Sequence, residues 1–153
     1  MALREKTILF LSSGGLIGYI PFAPGTFGSL LGLPLCFLLA KINIRVALVL
    51  LLLFVGLAVW ICDSARHLLD REDPGCIVLD EISGMMVALA GVPFTTTISA
   101  AGFILFRLFD IIKPFPIRTV EKRFGGGLGI VLDDVVAGIF TNLVLRVFFF
   151  LWE

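Results

Sequence analysis

Residues 77–86 read IVLDEISGMM, and residues 130–139 read IVLDDVVAGI. In both stretches three aliphatic residues run straight into two adjacent acids, and a helix-like apolar pattern resumes at once. An ionised side chain at the centre of a transmembrane helix costs about 2.5–3.5 kcal/mol on insertion scales, and a neighbouring like charge adds repulsion. A chain that carries such a pair twice must compensate it with something. Two apolar helices that each begin on an acid pair set the fold class, and the group that compensates the acids sets the function.

The surroundings support an apolar, helical reading. The chain has 153 residues, of which 59% are hydrophobic and only 16% charged, with a mean hydropathy of +1.08. Ordinary soluble domains are about half apolar and about a quarter charged. No charged residue occurs from Thr7 to Ala40 or from Ile82 to Phe106. Too few charges remain to cover a water-facing surface, so the chain reads as an integral membrane protein. The formal net charge is zero, which offers no electrostatic footprint for nucleic acid. The three cysteines (Cys36, Cys62, Cys76) are far apart and His67 is the only histidine, so no zinc-ligand spacing is present. The N-terminus lacks a small-residue cleavage site after its apolar run and does not read as a cleaved signal peptide.

The expected architecture is all-α, a single multi-pass domain over 1–153 with about four to six apolar helices. Residues 46–62, VALVLLLLFVGLAVWIC, are long enough to cross a bilayer at the lower limit. Residues 27–40 form a shorter apolar helix, and the Gly- and Pro-rich stretch 16–29 ahead of it is partly irregular. Residues 63–76 read as a polar connector. Residues 80–90 make about three turns, GVP (91–93) turns the chain, and 95–112 run back, so that 80–112 form a short hairpin. Residues 113–129 read as a basic surface connector, and 130–152 as a long closing helix. With alternating crossings, the acid pairs and the basic connectors share one membrane face. The bias of Lys and Arg to the inside makes that face cytoplasmic.

Five acids lie outside the connectors and termini: Asp80, Glu81, Asp110, Asp133 and Asp134. Mg²⁺ takes oxygen ligands, usually a few carboxylates with water and substrate phosphate, and would compensate them. Successive helix residues are rotated by about 100°, so Asp80 and Glu81 are expected to point different ways, one to a metal and the other to a second metal, a basic group or a cap. Acids in a first helical turn also suit the helix dipole. Arg107, Asp110 and Lys113 recur at three-residue steps on one helical face, which suits either phosphate held beside a metal or an ion-pair ladder. In APGTFGS (23–29), Thr26 reads as an N-cap with Ser29 in the first turn, and a free helix N-terminus binds anions.

PGTFGS, LDEISGM, FRLFDIIKPFPI and GGLGIVLDDVVAG, in this order, resemble the motifs of the phosphatidylglycerophosphatase A family and cover most of the chain from Pro24 to Gly138. The resemblance implies an all-helical Mg²⁺-dependent phosphatase of the bacterial inner membrane. It also implies the reaction, removal of the terminal phosphate of phosphatidylglycerophosphate to give phosphatidylglycerol. The residues independently narrow the chemistry. There is no Cys-x5-Arg run, no second histidine and no D-x-D-x-T/V run, so clustered carboxylates and metal-activated water remain. The expected ligands of Mg²⁺ are Asp80, Glu81, Asp133 and Asp134. Asp110, with Asp80 and Asp133, is expected to be catalytic. Arg107, Lys113, Thr26, Ser29 and Arg118 are expected at the substrate phosphate. The expected partners are the lipid substrate and the bilayer. The rival reading is an ion-coupled transporter using the intramembrane acids, against which the acids lie at helix starts beside basic connectors.

Overall fold

A computed structural model of the chain describes residues 2–152, with side chains at all of these except positions 121, 122 and 149–152. Among the described residues there are seven α-helices and no strand. They are α1 (Leu3–Ser12), α2 (Pro24–Ala40), α3 (Ile44–Leu69), α4 (Leu79–Ala88), α5 (Thr96–Ile112), α6 (Ile117–Arg123) and α7 (Gly126–Trp152), with one 3₁₀ turn at Ile17–Tyr19. The α4–α5 hairpin stands where the sequence put it, turning at Gly91 with φ +65° and restarting at Thr95, whose side chain accepts a bond from Ile98 N–H.

The number of helices exceeds the expected four to six, for identifiable reasons. α1 is short and is closed by the Glu5 carboxylate accepting a bond from Ala2 N–H. α6 lies inside what reads as a surface connector. α3 runs past Cys62 to Leu69, because Asp63 does not end the helix. Its carboxylate accepts bonds from Arg66 Nε at 2.8 Å and from the backbone N–H of Gly127 at 2.9 Å. That second bond caps α7 from another helix, and it is why α7 begins at Gly126 rather than residue 130. α2 likewise starts at Pro24, with Ala23 as its N-cap in the left-handed region. Thr26 is therefore a helical residue and not the cap.

α4 is the centre of the assembly. α2 meets it through a row of small residues. A side chain on Gly28 would come 2.7 Å from Val78 and one on Gly32 2.9 Å from Met85, while the Cys36 thiol lies 3.5 Å from the Met85 carbonyl. On the opposite side α7 crosses α4 where Gly138 rests on the Gly84 carbonyl and Gly84 rests on the ring of Phe106. Phe106, Met85, Val131 and Ala137 are fully buried there. The carbonyls at the end of α4 have no successors in the helix. Asn142 Nδ2 donates to those of Val87, Ala88 and Ala90 at 2.9–3.3 Å, and Arg146 reaches Ala90 and Gly91.

α3 (Ile44–Leu69) and the Gly126–Phe148 stretch of α7 are long and apolar enough to cross a bilayer. Much of α3 is not covered by protein. Leu52 and Leu53 are 72% and 66% exposed, in a row with Val46, Val49 and Leu57. Contiguous apolar surface of this extent faces lipid or a partner rather than water.

Candidate active site

The acids of α4 are positioned from both ends. Val78, fully buried, donates its N–H to the Ser12 carbonyl at 2.9 Å, which holds the entrance of α4 against the end of α1. Asp80 and Glu81 then occupy the first turn, beside the N-terminus of α2. A side chain at Gly25 would collide with the Glu81 carboxylate and come 3.1 Å from Arg107. The PGTFGS motif thus contributes its absence of bulk: Gly25 lets α2 approach close enough to wall in Glu81.

Oxygens of Asp80, Glu81 and Asp134 all lie within 4.8 Å of one another. This corrects the expectation that Asp80 and Glu81 diverge. The rotation per residue holds for Cα–Cβ vectors, but the longer Glu81 side chain is drawn back by Arg107, 3.9 Å from its Oε1. Asp80 Oδ1 and Glu81 Oε2 are buried and have no hydrogen-bond partner. Burial, followed by the charges of Glu81 and Asp134, holds the Asp80 carboxyl well above the ordinary carboxylate range. Glu81 is likewise raised, chiefly by burial. Unsatisfied buried carboxylate oxygens cost free energy unless a cation or proton meets them.

Arg107 sits behind this cluster. Its guanidinium contacts Asp110 Oδ2 at 2.5 Å and Ser29 Oγ at 3.4 Å, and Ser29 itself donates to the Gly25 carbonyl. Lys113 Nζ meets Asp133 Oδ2 at 2.7 Å. Lys113 ends α5 in the left-handed conformation, φ 47°, with Pro114 next in the chain. A lysine pays about 1–2 kcal/mol for that conformation, where a glycine would pay almost nothing.

A cleft of ≈ 400 Å³ opens over these groups. Asp80, Glu81, Asp110, Asp133, Asp134 and Lys113 line it, with Gly125, Gly126 and Gly129 forming a wall that has no side chains. The remaining expected phosphate ligands are elsewhere. Ser29 is fully buried and faces Arg107, and Arg107 is committed to carboxylates. Thr26 is in the third position of α2. Arg118 is exposed on α6, away from the cleft lining. Asp133 also differs from expectation: adjacent to Asp134 on α7, it pairs with Lys113 instead of joining the Asp80–Glu81–Asp134 group. The glycine wall and the cap from Asp63 were not identified from the sequence. A run of three glycines just ahead of an acid pair was the available signal for the first; nothing local marks the second.

Seven carboxylates thus line a partly buried cleft, Glu72 and Asp73 from the connector after α3 among them, together with the ammonium of Lys113, and three of the acids converge on one point. Known proteins resemble this chain over most of its length. The family model of phosphatidylglycerophosphatase A matches residues 10–149. The phosphatidylglycerophosphatase A of Escherichia coli (strain K12) is 35% identical over 129 residues, covering 84% of this chain and 75% of that protein. That of Haemophilus influenzae is 38% identical over 130 residues, covering 84% and 80%. A Bacteroides thetaiotaomicron protein, provisionally named a phosphatidylinositol-3-phosphatase, is 39% identical over 140 residues, covering 85% and 86%. No solved structure matches. The match spans every motif that builds the cleft, from Gly25 to Gly138, and on that basis the chain belongs to the phosphatidylglycerophosphatase A family.

Proposed function

We propose that this protein is a Mg²⁺-dependent lipid phosphatase that hydrolyses the terminal phosphomonoester of phosphatidylglycerophosphate, working at the cytoplasmic face of the bacterial inner membrane. One observation carries the reading: oxygens of Asp80, Glu81 and Asp134 within 4.8 Å of one another, two of them buried without partners, in a cleft that also holds a lysine. The donor set fits Mg²⁺, being all oxygen and carboxylate-rich. Asp80, Glu81 and Asp134 would hold it, and when bound it supplies Lewis acidity and a more acidic water.

The chain's own groups supply the rest. Lys113 offers its ammonium to the substrate phosphate from the cleft wall, and Asp133 holds it there. The glycine wall at the start of α7 lets a phosphate oxygen approach the backbone, at the end of the helix where the dipole favours anions. Asp110, held by Arg107 at the cleft edge, accepts a proton from the attacking water. Arg107 orients Glu81 and Asp110 rather than touching substrate. The transporter reading is not favoured, since the family is one of phosphatases and the acids close onto a cleft instead of forming a path.

Phosphate release by the purified protein, with Mg²⁺ and with chelator, tests this directly. Phosphatidylglycerophosphate should be hydrolysed only with the metal, and faster than phosphatidylinositol 3-phosphate. Equal turnover in chelator would overturn the metal reading, and a preference for the inositide would overturn the headgroup assignment.

A further inference from the structure

Outside the cleft, a groove of ≈ 770 Å³ runs between α2 and α5. The two helices are antiparallel along it. Leu30, Leu33 and Phe37 of α2 form one wall, and Ser99, Ala100 and Phe103 of α5 the other. Phe37 and Phe94 close its far end edge to face, with ring centroids 5.5 Å apart. Its near end adjoins the active site: Leu30 follows Ser29, Phe103 lies one turn before Arg107, and Ser29 and Arg107 bridge the two helices there.

The groove is lined mostly by apolar side chains, with Thr95 and Thr96 at its far end and Ser99 between. Ser99 is 7% exposed, and its hydroxyl is buried without a hydrogen-bond partner. A serine in a helix ordinarily bonds back to the carbonyl four residues earlier, as Ser29 and Ser83 do here; the Ser99 hydroxyl makes no such bond. A polar group left so in a largely apolar groove is destabilising unless a ligand meets it.

We propose that this groove seats the diacylglycerol part of the lipid substrate, with the Ser99 hydroxyl donating to an acyl-ester carbonyl. The proposal rests on the lipid-phosphatase reading above. The dimensions match it. From Asp110, which lines the cleft, to Ser99 is eleven residues, about 16 Å of helix. From the terminal phosphorus of the substrate to an ester carbonyl is about eleven bonds, or about 13 Å at the ~1.2 Å per bond of an extended chain. A hydrogen bond of about 2.8 Å at Ser99 closes the difference. A lipid with its terminal phosphate beside Asp110 therefore brings its ester to Ser99 and its first methylenes between Leu33, Phe37 and Ala100.

The test compares three substrates on the intact protein with Mg²⁺: the dipalmitoyl lipid, its ether-linked counterpart without the carbonyl, and the deacylated headgroup, glycerophosphoglycerol phosphate. Hydrolysis of the deacylated compound by the unaltered protein checks the phosphatase reading by itself. Ala100→Phe, which fills the groove, should reduce the preference in kcat/KM for the diacyl over the deacylated substrate at least tenfold. Ser99→Ala should abolish the preference for ester over ether lipid. If both preferences stay as in the unaltered protein while the deacylated compound is still hydrolysed, the groove is not the lipid site and the phosphatase reading stands. If Ala100→Phe changes the oligomeric state with the substrate preference intact, the groove seats a second copy of the chain, and the proposal fails.

Discussion

Asp80, Glu81 and Asp134 are arranged for an incoming charge and against their own stability. Without a cation, three acids share a buried point with unmet oxygens, and Asp80 and Glu81 hold their protons above the ordinary carboxylate range. The sign of the linkage follows. The folded protein binds more protons than the unfolded chain, so in chelator its stability is greatest at low pH. It falls as pH rises from the ordinary carboxylate value through the raised one. Asp80→Asn should therefore raise Tm in chelator at neutral pH, by about 2–4 °C per kcal/mol relieved, while removing the further rise that Mg²⁺ gives and abolishing Mg²⁺-dependent phosphate release. Thermal unfolding with and without metal reads both effects, and an unchanged response to Mg²⁺ would take Asp80 out of the ligand set. Lys113 carries a separate expectation. On the proposed function its ammonium, on the cleft wall, contacts the substrate phosphate. Lys113→Ala should lower kcat/KM by about 2–4 kcal/mol with Mg²⁺ affinity retained, as steady-state kinetics across Mg²⁺ concentrations would show.

At the scale of elements, α4 is the piece on which the site depends, and it is only ten residues long. Its start is held by the Ser12 carbonyl and its end by Asn142 and Arg146. A helix that stops within an apolar body leaves carbonyls that neither water nor lipid can satisfy. This explains Arg146, which lies at the end opposite the acid cleft and runs against the count of positive charge: it completes the cap of α4. Asn142→Leu keeps the volume and removes the donor, so it should cost about 1–3 kcal/mol of stability, measurable by denaturation in detergent. Gly138→Leu should cost more and also impair activity, because a side chain there meets the backbone of Gly84 and forces α7, with Asp134, away from α4. Retained activity in that variant would show that the two helices are free to separate.

For the whole molecule, the helices divide the chain into two ends. The carboxylates, Lys113, Arg118, and the connectors at 70–78 and 113–125 lie toward one end, and Lys41 and Arg45 toward the other. On the proposed function the substrate phosphate lies at headgroup depth, which would put the acid end at a membrane surface with α3 and α7 crossing beneath it. Arg118, exposed on α6, would then face the anionic leaflet, where a basic side chain contributes about 1 kcal/mol. A cysteine introduced at Arg118 should react with a membrane-impermeant maleimide only after the cytoplasmic side is opened. Labelling in intact cells would reverse the orientation.

Much of this could be read along the chain, and the rest could not, for reasons of range. The helical class, the apolar hairpin at 80–112 and the carboxylate character of the site all follow from local facts: the spacing of apolar residues, the Pro and Gly breaks, and the cost of acids in greasy helices. The candidates Asp80, Glu81, Asp110, Lys113 and Asp134 were visible because chemistry-bearing residues are conspicuous where nearly everything else is apolar. Which acids converge was not visible. Asp133 and Asp134 are neighbours of one chemical type, and only the crossing of α7 over α4 at Gly138 and Gly84 turns Asp134 toward Asp80 and leaves Asp133 to Lys113. Arg107, read as a phosphate ligand, became a brace for Glu81 and Asp110 because α2 brings Ser29 against it from 78 residues away. The true start of α7 depends on Asp63, 64 residues distant. Periodicity reports the face a helix buries; the partner that meets that face, and so the use of each charge on it, is settled by contacts between segments that the sequence keeps apart.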